Sequence, residues 1–118
     1  MKAKINGGEL IEFGLLSAQP ASGNLVLSGA TQDPLTNLSI TVPETIAPGT
    51  YSFGTAPGEN IAYGMYNMNN TAHVSQSGTL NITTNSEGVI QGNFSFTATS
   101  AEDVTVEVTE GQFFLEVN

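Results

Sequence analysis

The sequence predicts an all-β protein, either an antiparallel β-sandwich or a closed β-barrel of about nine or ten short strands. Two observations carry this prediction. Clusters of Gly, Pro, Asn and Asp recur about every 8–12 residues, the turn spacing of small β-proteins. Between them, apolar and polar residues alternate, as in strands with one wet face. At 118 residues, the chain is expected to be a single domain, 1–118, with one core.

The segment 9–17 is the one stretch with a competing helical pattern. Leu10, Phe13 and Leu16 recur three residues apart, as they would on one face of a helix. Gly14 lies in the middle of the segment and weakens a helix. Because the rest of the chain has the pattern of β-structure, we predict a strand here.

The clearest predicted strands alternate strictly between apolar and polar residues. They are expected at 38–42, 79–83, 90–98 and 104–109, with a shorter strand at 50–55. Within the third of these, alternation places Phe94 and Phe96 on the buried face and Ser95 on the opposite, wetter face. The turn Asn85–Gly88 is expected to join two of the strands as a hairpin.

A change of parity near the C-terminus predicts a β-bulge at Gly111. Val108 is even-numbered in its strand, whereas the apolar positions that follow are odd-numbered: Phe113, Leu115 and Val117. If all of them face the core, one extra residue must be inserted between the two sets. Glycine readily adopts the positive φ of many bulges, so we expect such a geometry at Gly111.

The charge balance argues against several classes of function. Eleven Asp and Glu residues stand against Lys2 and Lys4, the only basic residues, for a formal net charge of −9. A surface of this charge repels a polyanion, so no nucleic acid is expected as a partner. Cysteine is absent, which leaves no disulfide, thiolate nucleophile or sulfur-ligated metal. We expect neither a cofactor nor a metal.

Five short motifs occur in an order that resembles a known family. They are Ala3–Gly7, Gly49–Tyr51, Ser77–Thr83, Gly92–Ala98 and Val108–Phe113. The order is similar to that of a domain family of unknown function in Bacteroidota lipoproteins. The family motifs are Ala-x-Ile-Asn-Gly, Gly-Thr-Tyr, Ser-Gly-Thr-Leu-x-Ile-Thr, Gly-x-Phe-Ser-Phe-Thr-Ala and Val-Thr-x-Gly-x-Phe. The chain departs from the family after the first motif, where an aromatic residue is usual and Gly8-Glu9-Leu10 stand here.

The resemblance implies an all-β domain held outside the cell, behind a signal peptide and a lipid-bearing cysteine, and it implies no activity. We therefore expect an extracytoplasmic protein, anchored to the outer membrane or periplasmic, whose signal peptide and lipid anchor have been trimmed from this sequence. The lipid is the only expected connection to a membrane. Thr, Asn and Ser, together 35 residues, fit the same expectation, because hydroxyls and amides replace charges on the surface.

His73 is the single histidine and a weak candidate for a ligand-binding residue. Its neighbours in the chain are apolar and no further histidine or cysteine accompanies it, so an ordinary strand residue is the expected outcome. A Ser-His-Asp triad with Asp33 or Asp103 is formally possible, but the chain has no Gly-x-Ser-x-Gly motif. Glu12 is the best candidate for a catalytic acid, and Glu102 with Asp103 for calcium. We expect ordinary solvated carboxylates in both cases, and no enzyme.

The other weak candidates for ligand binding are Tyr51, Tyr63 and Tyr66, whose rings are able to stack on a sugar. Tyr63 and Tyr66 have opposite parity, so they are expected on different faces of one strand. A shared stacking platform is therefore not expected.

The sequence predicts a non-enzymatic domain of a cell-envelope lipoprotein that acts as a binding or spacer module. Its expected partner is a small molecule, a glycan or a protein, and the sequence does not distinguish these three. The alternatives are a lipocalin-like β-barrel that carries a small apolar ligand, and a carbohydrate-binding module. A cavity of several hundred cubic ångströms would favour the carrier, and a filled core the module.

Overall fold

The computed structural model describes residues 1–32, 35–55, 61–68 and 71–116, and 79% of these residues lie in strands. The described residues contain no helix, and so none that is long and apolar enough to cross a membrane. The strands are β1 Lys2–Ile5, β2 Leu10–Glu12, β3 Leu15–Ala21, β4 Asn24–Gln32, β5 Leu35–Pro43, β6 Gly49–Gly54, β7 Ile61–Met68, β8 Thr71–Ser86, β9 Val89–Thr99 and β10 Thr105–Glu116.

These ten strands form one curled sheet in the order β2-β1-β10-β9-β8-β6-β7-β5-β4-β3. The prediction of an all-β chain is confirmed, and the segment 9–17 contributes to two strands rather than to a helix. The sheet forms a half-barrel and is neither clearly a sandwich nor clearly a closed barrel. A strongly twisted sheet of this many strands curls on itself, which buries one face without a second sheet.

The two ends of the sheet approach each other at Phe13 and Gly14. The N–H of Phe13 donates to the carbonyl of Met1 at 2.8 Å, and the N–H of Gly14 donates to the carbonyl of Ala30 at 3.1 Å. These bonds connect the start of β1 to β4. No ladder joins β3 to β10 in the described part of the chain. A groove remains between these strands, and the inward-pointing Leu16 stays 48% exposed there.

One pairing departs from the predicted antiparallel order, because β6 runs parallel to β7 over Ser52–Gly54 and Ile61–Tyr63. Strand β8 pairs with β7 through Thr71–Val74, and then with β6 through Thr79–Ile82. A bulge between these two stretches bends β8. We call this point, where β7 and β8 separate around Ser75, the fork. Strand β6 fills the fork and pairs backbone groups that would otherwise lack partners.

The hairpin predicted at Asn85–Gly88 is confirmed between β8 and β9. Glu87 and Gly88 both have positive φ, at 55° and 78°, as a two-residue type I′ turn requires. Such a turn matches the right-handed twist of the flanking strands. Local sequence therefore sets the register of β8 and β9 next to the turn.

The inner face of the sheet is filled by aromatic and aliphatic side chains. Phe94 and Phe96 are buried and Ser95 lies on the opposite face, as predicted. The ring of Phe96 lies 4.7 Å from that of Phe53, measured between centroids, and Phe94 lies 6.1 Å from Phe113. Pairs at these separations add to the stabilisation from area burial.

The predicted bulge is confirmed, with one correction. The register of β10 against β9 shifts between Val108 and Gly111. Positive φ falls on Glu110, at 50°, and not on Gly111. Glycine is needed at Gly111 for a different reason, because a Cβ atom built there would lie 2.3 Å from the ring of Phe94. Val108 and Phe113 both face the core, as predicted; Val117 lies outside the described residues.

Candidate functional site

Tyr66 and His73 lie directly opposite each other on β7 and β8. Both face the inside of the sheet, with exposed fractions of 2% and 4%. Their ring centroids are 5.9 Å apart, and Nδ1 of His73 lies 3.2 Å from the backbone carbonyl oxygen of Tyr66. Because a carbonyl only accepts, Nδ1 carries the proton and donates. The two residues form a hydrogen-bonded part of the core.

The hydroxyl of Tyr66 is also engaged. It donates to Sδ of Met68 at 3.6 Å. Burial raises the pKa of Tyr66 above its ordinary value of 10.0, and a hydrogen bond with the side chain of Thr36 acts in the opposite direction. A buried phenol with these neighbours offers no ring face to a sugar. Tyr66 is therefore a poor stacking platform.

The other two tyrosines lie elsewhere. Tyr63 is half-buried and alternates with the buried residues of β7, so it faces outward while Tyr66 faces inward, as predicted. Tyr51 packs against the core, and its hydroxyl donates to the carbonyl of Ala47 at 2.5 Å. Of the four candidate residues, the structure brings only Tyr66 and His73 together.

The candidate carboxylates occupy exposed positions. Glu12 is exposed on β2, opposite Lys2 of β1. Glu102 and Asp103 lie exposed in the turn before β10, where the N–H of Asp103 donates to the carbonyl of Ser100 at 3.0 Å. Within the described ranges, no three His, Cys, Asp or Glu residues cluster to hold a metal ion. Asp33, considered for a triad, lies outside the described residues.

Ser75 is fully buried at the fork and uses its hydroxyl twice. The hydroxyl accepts from the N–H of Gly64 on β7 at 2.9 Å and donates to the carbonyl of Gly54 on β6 at 2.5 Å. One small polar side chain thereby satisfies backbone groups of two strands where their ladders end. The role of Ser75 is structural.

The outer face of β8, β9 and β10 carries two adjoining grooves. One has a volume of about 300 Å3, and Lys2, Gln91 and Phe114 contribute to its lining. The other, of about 490 Å3, lies over the bulge in β10. Asn93 and Gln112 line both grooves. We call the set Lys2, Gln91, Asn93, Gln112 and Phe114 the Phe114 surface.

The Phe114 surface combines an exposed aromatic ring with amides that have no partner in the described protein. Phe114 is 58% exposed, the largest exposed fraction among the large apolar side chains described. Gln91 is its direct cross-strand neighbour, and Asn93 is the neighbour of Gln112. The side chains of these three amides make no hydrogen bond to any described residue. By contrast, the hydroxyls of Ser77 and Thr97 pair at 3.1 Å on the same face.

Sequence reasoning missed this surface, although the signal was present. The predicted parity change placed Phe113 inside. Strict alternation then places Phe114 outside, next to polar residues. Phe114 is then the one aromatic ring among polar side chains on this part of the sheet face. The position of Lys2 carried no such signal, because its pairing with Gln112 joins distant parts of the chain.

Comparison with known proteins gives a family and no function. A search of curated proteins and of solved structures found no match to the chain. The family model described as a domain of unknown function, DUF6252, matches residues 15–116. That match covers most of the 118 residues and includes the eight strands from β3 to β10. The chain therefore belongs to the DUF6252 family.

Proposed function

We propose that this chain is a non-enzymatic binding module of a cell-envelope lipoprotein, and that it binds through the outer face of its sheet. The observation that carries this proposal is the Phe114 surface. Exposed apolar area rimmed by polar groups is typical of binding sites. The amides there have donors and acceptors that no described residue uses. A module that only spaces other domains would have no need of such a surface.

The packing of the inner face favours an outer binding site over a ligand carried inside. A Cβ atom built on Gly64 would lie 3.0 Å from the ring of Phe96, and one built on Gly92 would lie 3.0 Å from the ring of Phe113. Rings therefore already occupy the space above these inward-facing glycines. A lipocalin-like carrier needs that space for its ligand.

The extracytoplasmic location is part of the proposal. It is supported by the resemblance of the five motifs to a lipoprotein family and by a surface with few charges, since charged residues make up only 11% of the chain. Fractionation of cells that express the full-length gene tests it, with protease added to intact cells. Recovery in the membrane fraction or the periplasm is expected. Recovery with cytosolic markers would overturn the location.

Binding is tested by thermal melting of the purified chain against three classes of compound: soluble polysaccharides, peptides and small apolar molecules. We expect one of the first two classes to raise the melting temperature, since a ligand that binds only the folded state stabilises it. The compound should be recovered chemically unchanged. Conversion of the compound, stabilisation by small apolar molecules alone, or no stabilisation by any class would each contradict the proposal.

A further inference from the structure

We infer that the Phe114 surface is a binding site for neutral saccharides. This inference rests on the proposed binding function and names its ligand class. It assigns the site to residues that differ from the tyrosines and the histidine that the sequence singled out.

Two amides of the surface, Asn93 and Gln112, belong to a row of residues that runs across the strands and begins at Asn81. Asn81 of β8 pairs with Asn93 of β9, Asn93 pairs with Gln112 of β10, and Gln112 pairs with Lys2 of β1. Adjacent strands lie about 4.8 Å apart, so the three amides span roughly 10 Å. Phe114 and Gln91 form the next row on the same face. The surface therefore presents several polar groups along a line, with an aromatic ring beside it.

This combination suits a sugar ring. The C–H groups on one face of a pyranose are apolar and pack on an aromatic ring, while its hydroxyls both donate and accept hydrogen bonds. An amide side chain also donates and accepts, so it matches neighbouring hydroxyls on one sugar. Phe114 is able to contribute the ring contact, and Gln91 and Gln112 the hydrogen bonds from two adjacent strands.

A peptide strand is a poorer match for the centre of this surface. At Gln112, β10 is paired on both sides, with β9 at Asn93 and with β1 at Lys2. No backbone edge is open there for an added strand, so recognition must use side chains.

Charge favours a neutral ligand over an anionic one. Lys2 is the one cation of the surface and stands opposite Glu12 on β2. The second lysine of the chain, Lys4, is paired with Glu110 at 2.9 Å. With a net charge of −9, the protein repels an anionic chain at long range.

The test compares the wild-type chain with Phe114→Ala in titrations against neutral and anionic polysaccharides and their oligosaccharides. Wild type is expected to bind a neutral saccharide, and Phe114→Ala to weaken the binding at least about tenfold. Gln112→Ala should also weaken it, by a smaller factor. Val104→Ala is the matched control, because Val104 is also apolar, 53% exposed and outside the surface. The affinity of Val104→Ala for the neutral saccharide should equal that of wild type.

Four results would overturn the inference. Equal affinity of wild type and Phe114→Ala for neutral saccharides would place the site elsewhere. Binding confined to anionic saccharides would refute the ligand class. Stabilisation by peptides in the melting screen, with no saccharide bound, would refute the saccharide site and leave the proposed binding function standing. If no class of compound binds, both the saccharide site and the proposed binding function are refuted. Phe114 is exposed, so the melting temperature of Phe114→Ala without ligand should match that of wild type and verify folding.

Discussion

Replacing Ser75 with alanine should destabilise the protein strongly, although the change removes a single oxygen atom. The hydroxyl serves Gly64 and Gly54 at the fork. Without it, a buried N–H and a half-buried carbonyl lose their partner at the point where two ladders end. Leaving a buried polar group unsatisfied costs about 1–3 kcal/mol. Because two groups are affected, the free energy of unfolding should fall by about 2–4 kcal/mol.

The loss should be visible in thermal and urea melts. Unfolding entropy of about 2.1 cal/mol/K per residue converts 1 kcal/mol into roughly 4 °C for a chain of this length, so the melting temperature should drop by roughly 8–16 °C. Ser77→Ala is the matched control on the same strand. Ser77 is exposed, and its hydroxyl pairs with that of Thr97. Ser77→Ala should therefore lower the free energy of unfolding by no more than about 0.5 kcal/mol.

Amide hydrogen exchange gives a second, local measurement. The N–H of Gly64 should exchange faster in Ser75→Ala, because its acceptor is gone. Equal losses of stability in the Ser75 and Ser77 variants, with unchanged exchange at Gly64, would refute the role assigned to Ser75 at the fork.

Three further changes probe the core, the bulge and the buried phenol. Phe96→Ala should cost about 3–5 kcal/mol in a urea melt, whereas Ser95→Ala on the opposite face should cost under about 0.5 kcal/mol. Gly111→Ala should cost about 1–3 kcal/mol, because the added Cβ overlaps the buried ring of Phe94. Tyr66→Phe should remove part of the loss of stability in alkali. The pKa of Tyr66 is raised in the folded state. The stability that this shift contributes is therefore fully present below pH 10.0, the ordinary pKa of the group, and is lost as pH rises through the folded-state pKa.

Matched variants separate these effects from general damage. Gly14→Ala controls for the bulge, since a Cβ atom at Gly14 meets nothing within 4 Å. Tyr63→Phe controls for the removal of a phenolic hydroxyl, since Tyr63 lies on the same strand as Tyr66 and faces outward. A Gly111→Ala variant as stable as Gly14→Ala would contradict the close approach of Phe94. A profile identical in Tyr66→Phe and wild type would contradict the link between burial and alkaline stability.

The candidate site was only partly accessible from sequence. The opposite orientations of Tyr63 and Tyr66 follow from parity, and the expected strand position of His73 agrees with its burial on β8. The hydrogen bond of His73 could not be predicted, because the accepting carbonyl belongs to Tyr66 on the neighbouring strand. Phe114 follows from alternation once Phe113 is placed inside. Its amide neighbours on β9 required the register of the strands.

The sequence by itself determined the properties that depend on a few consecutive residues. Alternation decides which face of a strand is buried, so the positions of Phe94 and Phe96 and the bulge before Gly111 were predictable. The hairpin at Asn85–Gly88 was predictable because turn geometry is local. Only the tertiary structure decided how the strands are arranged. The parallel placement of β6 at the fork, the half-barrel and the approach of Lys2 to Gln112 all depend on pairings between distant segments. Many such pairings bury similar apolar area, and no local pattern distinguishes them.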